Sequence, residues 1–183
     1  MVKTRLVDPE SNEEITEPGI PGELLYRGPT IFDGYWNSPE VNNEVFSDGY
    51  FHTGDMFEIA APDGDPRYYK FVGRCKDIIS RGGMKISPEE LDNLLAGHPK
   101  VADAAVVGVA DARLGERVGV AVVPKAGESL SLDDIIEFLK KCDVAIFKLP
   151  EMLREVDDLP RNPLGKVLRH ELCGLFDEPK QNS

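Results

Sequence analysis

The chain has 183 residues, with 33 acids against 21 bases and a formal net charge of −12. That balance excludes a large nucleic-acid footprint and an anionic membrane surface, while small anionic ligands still answer to the local cations of a cleft. A hydrophobic share of 41% is enough for one or two small cores.

In chain order, residues 3–7 and 23–26 read as strands separated by an acidic, Pro/Gly-punctuated loop, and Gly28-Pro29 ends the second. Asp33-Gly34-Tyr35-Trp36-Asn37 precedes a short helix that Ser38 is placed to cap, with Pro39 at its first position. Residues 50–59 and 68–72 look like the arms of a hairpin joined by Ala61-Pro62-Asp63-Gly64-Asp65-Pro66. This first stretch makes a small β-rich barrel or sheet. Its apolar content is thin, so Tyr35, Trp36, Phe46 and Phe57 are expected to join a core that other sequence completes.

From Asp77 onward strands alternate with helices. Residues 77–80 read as a strand, and Arg81-Gly82-Gly83-Met84-Lys85 as a tight turn in which the glycines permit positive φ. Ser87, Pro88 and Glu90 supply an N-cap, a first helical residue and a capping-box acid for a helix over 88–96. Strands follow over 101–109 and 117–123, and a helix opens at Ser131 with Ile135, Ile136 and Leu139 on its buried face. A strand over 152–156 and a last helix over 167–176 complete a layer of about a hundred residues, enough to fold alone. The expected fold class is α+β: a β-rich part over 1–73, a hinge at 74–77, and a unit over 78–183 with helices on a small, mostly antiparallel or mixed sheet.

Three cysteines, Cys75, Cys142 and Cys173, are odd in number and lack metal-ligand spacing, which points to a reduced cytoplasm. No long apolar span and no signal-like start is visible.

Three stretches carry chemistry. Asp55 closes Phe51-His52-Thr53-Gly54-Asp55, where a carboxylate can accept hydrogen bonds from two vicinal hydroxyls, although a turn aspartate satisfied by backbone amides would read the same way. His52 reads as a packing residue. Residues 73–92, GRCKDIISRGGMKISPEELD, join a Gly-Arg pair to a strand, a Gly-Gly turn and a helix start. Residues 159–169, LPRNPLGKVLR, put Gly165-Lys166 in a short polar loop that Pro160 and Pro163 stiffen.

In this order, and with Gly22-Glu23-Leu24 and Gly34-Tyr35-Trp36-Asn37, these stretches resemble the motifs of the adenylate-forming superfamily, over about residues 22–172. That group includes acyl-CoA synthetases, luciferases and the adenylation domains of peptide synthetases. The resemblance implies that Asp55 binds the ribose hydroxyls of ATP, that Arg74 helps hold the nucleotide, and that Lys76 is the pivot between two lid orientations. It also implies that Gly83 lines the tunnel for a thiol acceptor, flanked by Lys85 and Arg81, which could meet acceptor phosphate or nucleotide. Lys166 becomes the catalytic lysine, an ammonium that offsets the repulsion between a substrate carboxylate and the α-phosphate. Leu164 departs from the small residue more usual there.

The implied reaction joins a small-molecule carboxylic acid to CoA through an acyl-adenylate, using ATP and Mg2+. The family's Ser/Thr/Gly-rich phosphate loop and Tyr-Gly-x-Thr-Glu stretch are not in this sequence, so the Mg2+ ligands and the acyl pocket are expected in an N-terminal domain of the same enzyme. On that expectation these residues are the end of a large domain plus a whole C-terminal lid, inactive alone. A ligase that loads a carrier protein, and a stand-alone nucleotide- or CoA-binding module without catalysis, are the alternatives. The acid and the oligomeric state are not legible in these residues.

Overall fold

The computed structural model describes residues 1–60 and 68–177. It divides into two compact units, Met1–Lys76 and Asp77–Ser183.

The first unit is a five-stranded antiparallel sheet. β1 (Lys3–Val7), β2 (Gly22–Arg27), β4 (Tyr50–Ile59) and β3 (Phe46–Ser47) are neighbours in that order, and β5 (Tyr69–Arg74) also pairs with β4. Leu6 faces Leu24 across β1 and β2, and both are buried with Ile59 in a small core on which Ile15, Tyr26, Phe57 and Tyr69 pack. Gly22 permits that closeness, because a Cβ there would stand 2.6 Å from Ile15 Cδ1 and 2.7 Å from the Val7 carbonyl. The expected hairpin arms do pair, Ile59 facing Tyr69; the segment expected to join them lies outside the described residues.

The helix α1 (Pro39–Val45) starts where Pro39 suggests, but Ser38 does not cap it: its hydroxyl donates to the Trp36 carbonyl at 3.1 Å. Asn42 braces the preceding loop instead, its side chain accepting from Tyr35 N at 2.7 Å and donating to Tyr35 O at 3.0 Å. Phe32 lies edge-on to Tyr35, Phe46 and Phe51 at 5.0, 5.5 and 5.1 Å. Trp36 stays 96% exposed.

The second unit is built on a long hairpin, β8 (Val101–Asp111) with β9 (Gly115–Pro124). β6 (Ile79–Arg81) pairs antiparallel with β7 (Met84–Ile86) and with β9, while β10 (Met152–Glu155) runs parallel to β9. The parallel strand requires a crossover, and α3 (Leu132–Lys141) supplies it. The sheet is therefore mixed, as expected.

Side chains alternate along the hairpin, and both faces are covered. Val106, Val118, Val120 and Val122 point into a core with Ile86, Leu91 and Leu95 from the region of α2 (Pro88–Leu95) and Ile135 and Leu139 from α3. Ala105, Val107, Val109 and Ala121 face the other way, onto Leu159 and the α4 (Arg169–Asp177) residues Leu172 and Phe176. Burial on both faces explains the nearly unbroken apolar run of these strands.

Two local expectations shift. Residues 75–77 form a 3-10 turn, so the strand expected over 77–80 begins at Ile79. Arg81, Met84 and Lys85 belong to strands, and the turn is Gly82-Gly83 alone, with φ of +56° and +83°. A two-residue hairpin turn with both central residues at positive φ matches the strand twist and selects glycine twice.

The helix caps follow the sequence closely. Ser131 accepts from Asp134 N while the Asp134 carboxylate accepts from Ser131 N, a complete capping box, and the hydrogen bonds that this carboxylate accepts from the Ser131 hydroxyl and amide hold it below the usual range. Ser87 accepts from Glu90 N at 3.3 Å, but the Glu90 carboxylate accepts from Lys148 Nζ at 2.9 and 2.7 Å. The last helix begins at Arg169, two residues late, because Val167 is held in a bridge to Arg161. No helix among the described residues is long and apolar enough to cross a membrane.

Candidate functional site

In the first unit, Thr53, Gly54 and Asp55 form a bulge. Glu23 of β2 faces Met56 while Leu25 faces His52, so two steps on one strand oppose four on the other. Gly54 takes φ of +70°, and Asp55 sits within β4 instead of at its end. A polar network fixes this shape. The buried Glu23 accepts from Gly54 N at 2.9 Å and meets His52 Nδ1 at 2.9 Å, while His52 Nε2 meets Ser47 Oγ at 2.7 Å. Thr53 Oγ1 donates to the Leu24 carbonyl at 2.7 Å and accepts from Asp55 N at 3.1 Å.

Asp55 then projects its carboxylate toward Arg74, its register partner on β5, with Oδ1 3.5 Å from Nε and both side chains partly exposed. The geometry thus brings together the two residues assigned to the nucleotide. His52, expected as a packing residue, is instead held at both ring nitrogens by Glu23 and Ser47; the only signal for Glu23 in the sequence was the Gly22-Glu23-Leu24 motif. Burial pushes the neighbouring Cys75 thiol up to about 12, with the negative charges of Glu23 and Asp55 adding to the effect, so it is not a nucleophile at neutral pH. Lys76 is the last residue of this unit, inside the 3-10 turn.

In the second unit, Lys166 closes a loop that is rigid in its main chain. Asn162 Oδ1 accepts from Leu164 N at 3.0 Å and from Lys166 N at 2.8 Å, and Asn162 N donates to Lys166 O at 2.9 Å. Gly165 turns the chain at φ of +81°, and its carbonyl accepts from Arg161, whose guanidinium also binds Asp103 of β8. Leu164 is 92% exposed, so the departure from a small residue disturbs no packing. The ammonium of Lys166 lies 3.6 Å from Asp77 Oδ2.

Asn162 and Arg161 were not singled out from sequence, although they stand inside the PRNPLGK stretch. Replacing Asn162 by Ala removes one acceptor from two amides. In the full-length protein that change is expected to slow any step that depends on Lys166 by about ten- to a hundredfold through misplacement. Asn162→Asp, which keeps the acceptor, should restore most of the rate in the same assay.

Gly83 faces open space, with nothing within 4 Å of the position a Cβ would take. Its flanking cations are already engaged. Arg81 Nε binds Glu151 at 2.7 Å, and Lys85 Nζ donates to Ser80 Oγ at 2.9 Å. Among the described residues no group of three or more His, Cys, Asp or Glu is placed to hold a metal ion.

Residues 90–166 match the AMP-binding enzyme C-terminal domain family. The chain is 44% identical over 165 residues to an oxalate--CoA ligase of Arabidopsis thaliana, covering 90% of this chain and 31% of that protein. It belongs to the adenylate-forming superfamily. Within this superfamily it is also 42% identical over 174 residues to triostin synthetase I of Streptomyces triostinicus, covering 94% of this chain and 32% of that one. Among solved structures, ATP-bound MatB from Rhodopseudomonas palustris superposes with a TM-score of 0.77 at 35% identity, over 97% of this chain and 34% of that one. The chain thus spans about a third of the length of these relatives and carries a C-terminal portion of the adenylate-forming architecture.

Proposed function

We propose that the chain is the C-terminal part of an ATP-dependent acyl-CoA ligase, and that its second unit is the lid that serves two successive steps. The observation that carries this reading is the preformed loop presenting Lys166. Its main chain is fixed by Asn162 and Arg161, and its side chain is half exposed. In the first step a carboxylate oxygen of the acid attacks the α-phosphorus of ATP, and pyrophosphate leaves. Lys166 places an ammonium where two anions approach and where charge builds on the transferring phosphate. Asp55 accepts from the vicinal hydroxyls of the ribose, and Arg74, already 3.5 Å away, balances the carboxylate.

In the second step the sulfur of CoA attacks the acyl carbon, the thiol proton is lost to solvent, and AMP leaves to give the thioester. Lys76 is the pivot for the change of lid orientation between the steps. It lies in a short turn where a few backbone dihedrals can absorb a large rotation. Gly83 presents bare main chain to the pantetheine arm. Lys85 and Arg81 are weaker candidates for the acceptor phosphates, since Arg81 would have to leave Glu151. The described residues do not fit a Mg2+ site, and that ion belongs to the upstream domain. The relatives that are CoA ligases support a thiol acceptor, and a cytoplasmic location fits ATP and CoA as substrates.

Calorimetric titration of this chain with ATP, AMP and CoA separates the reading from a stand-alone binding module. Only weak, unsaturated heats at millimolar ligand are expected. Tight saturable binding would place the module reading first. Lys76→Pro in the full-length protein fixes φ at the pivot and restricts Cys75 before it. It is expected to slow thioester formation more than adenylate formation, and normal rates for both steps would remove the pivot role.

A further inference from the structure

We propose that Asp77 parks Lys166, holding its ammonium whenever no nucleotide phosphate is there to take it. This rests on the reading of Lys166 as the lysine of adenylate formation. Asp77 opens the second unit, immediately after Lys76, and lies in the 3-10 turn Cys75–Asp77. Its Oδ2 is 3.6 Å from Lys166 Nζ, and its side chain is only 16% exposed against 48% for the lysine. The loop main chain is anchored by Asn162, Arg161 and Asp103, so the lysine side chain is the part left to move. Both partners belong to one unit, and the ion pair therefore travels with it.

A carboxylate kept beside the α-phosphate would add negative charge where the phosphate and the substrate carboxylate already repel each other. Lys166 therefore exchanges Asp77 for phosphate, and returns to it when phosphate departs. Asp77 is a positioning residue in this scheme and touches no substrate.

The first test uses the 183-residue chain and needs no catalysis. The rate at which an N-hydroxysuccinimide ester acetylates each lysine is read by peptide mass spectrometry, with Lys140 as internal reference. Removing a partly exposed carboxylate partner frees the amine, so Asp77→Asn is expected to raise the rate at Lys166 by about two- to fivefold. Asp77→Glu should stay near wild type, and Lys140 should not change. An unchanged rate at Lys166 in Asp77→Asn would overturn the proposal.

The second test uses the full-length protein. Asp77→Asn is expected to lower KM for ATP in adenylate formation more than it changes kcat, because phosphate no longer competes with the carboxylate. A fall in kcat at constant KM would overturn the parking role and leave Asp77 a structural residue. If the acetylation rate responds but Lys166→Ala leaves adenylate formation intact, the ion pair stands and the assignment of Lys166 falls.

Discussion

Lys166→Ala in the full-length protein is expected to slow adenylate formation by about a hundred- to a thousandfold, the scale of losing one preorganised charge aimed at a developing anion. Thioester formation from supplied acyl-adenylate should stay near wild type. On the proposed reading the contrast arises because the ammonium is useful only while a carboxylate and a phosphate are forced together. In the second step the attacked atom is the acyl carbon, and the phosphate is a leaving group already bonded. The substitution is clean in structural terms. Asn162 binds the Lys166 main chain, which alanine retains, and the half-exposed side chain gives up only its ion pair with Asp77. Asp77→Asn, which removes the same ion pair but keeps the ammonium, separates a structural effect from a lost charge. Rapid-quench measurement of the two half-reactions decides the matter, and equal losses in both would remove the assigned role.

Asp92→Ala is expected to destabilise the second unit by about 3 kcal/mol. Asp92 of α2 accepts from Val106 N at 2.7 Å and from Arg169 at 2.6 Å, and Arg169 donates in turn to Val106 O at 2.7 Å. These three residues tie α2, β8 and α4 together, and Arg169 stands only three residues after Lys166. Truncating Asp92 leaves a guanidinium mostly buried without its carboxylate. Replacing Arg169 by Met leaves the reverse. A double change to Asp92→Leu and Arg169→Met should recover part of the loss, because no buried charge then lacks a partner. Urea denaturation followed by circular dichroism, to which α2, α3 and α4 contribute most of the helix signal, measures all three.

The same residue gives a pH signature. Burial pushes the Asp92 carboxyl above its ordinary range, and the hydrogen bond and charge of Arg169 offset this only in part. The folded state therefore holds the Asp92 proton to higher pH than the unfolded chain. Its contribution to stability falls as pH rises from the ordinary carboxylate range through the raised value, and is recovered on acidification. Asp134 has the opposite sign. Its lowered value means that its capping contribution is present above the ordinary carboxylate pKa and is lost as pH falls below it. Comparison of Asp92→Asn and Asp134→Asn with wild type across the acid limb should show the two slopes diverging.

What could be read from the sequence was local. The helix start at Ser131, Pro88 after Ser87, and Gly82-Gly83 each follow from a few neighbouring residues, and the structure forms each of them. The valine-rich hairpin was visible because apolar side chains on both faces leave a continuous run. Lys166 stood out because PRNPLGK, following FHTGD and GRCKD, resembles the superfamily's catalytic-lysine motif; a Gly-Lys pair alone reads as an ordinary exposed turn. The long-range pairs were invisible: His52 finds Glu23 across 29 residues, and Arg169 finds Asp92 across 77. Nothing in the local pattern of Asp92 distinguishes it from an exposed helix aspartate. The capping expectations failed where a stronger partner competed, as when Lys148 took the Glu90 carboxylate. Asp77 looked like the first residue of a strand, and only the folded unit brings it to Lys166.

The most direct measurement is product analysis of the full-length protein with ATP, CoA and a panel of aliphatic, aromatic and dicarboxylic acids. Acid-dependent release of AMP and pyrophosphate, with one thioester formed per AMP, is the predicted result. Acid-dependent release of ADP and phosphate, or turnover of ATP without any acid or thiol product, would contradict it.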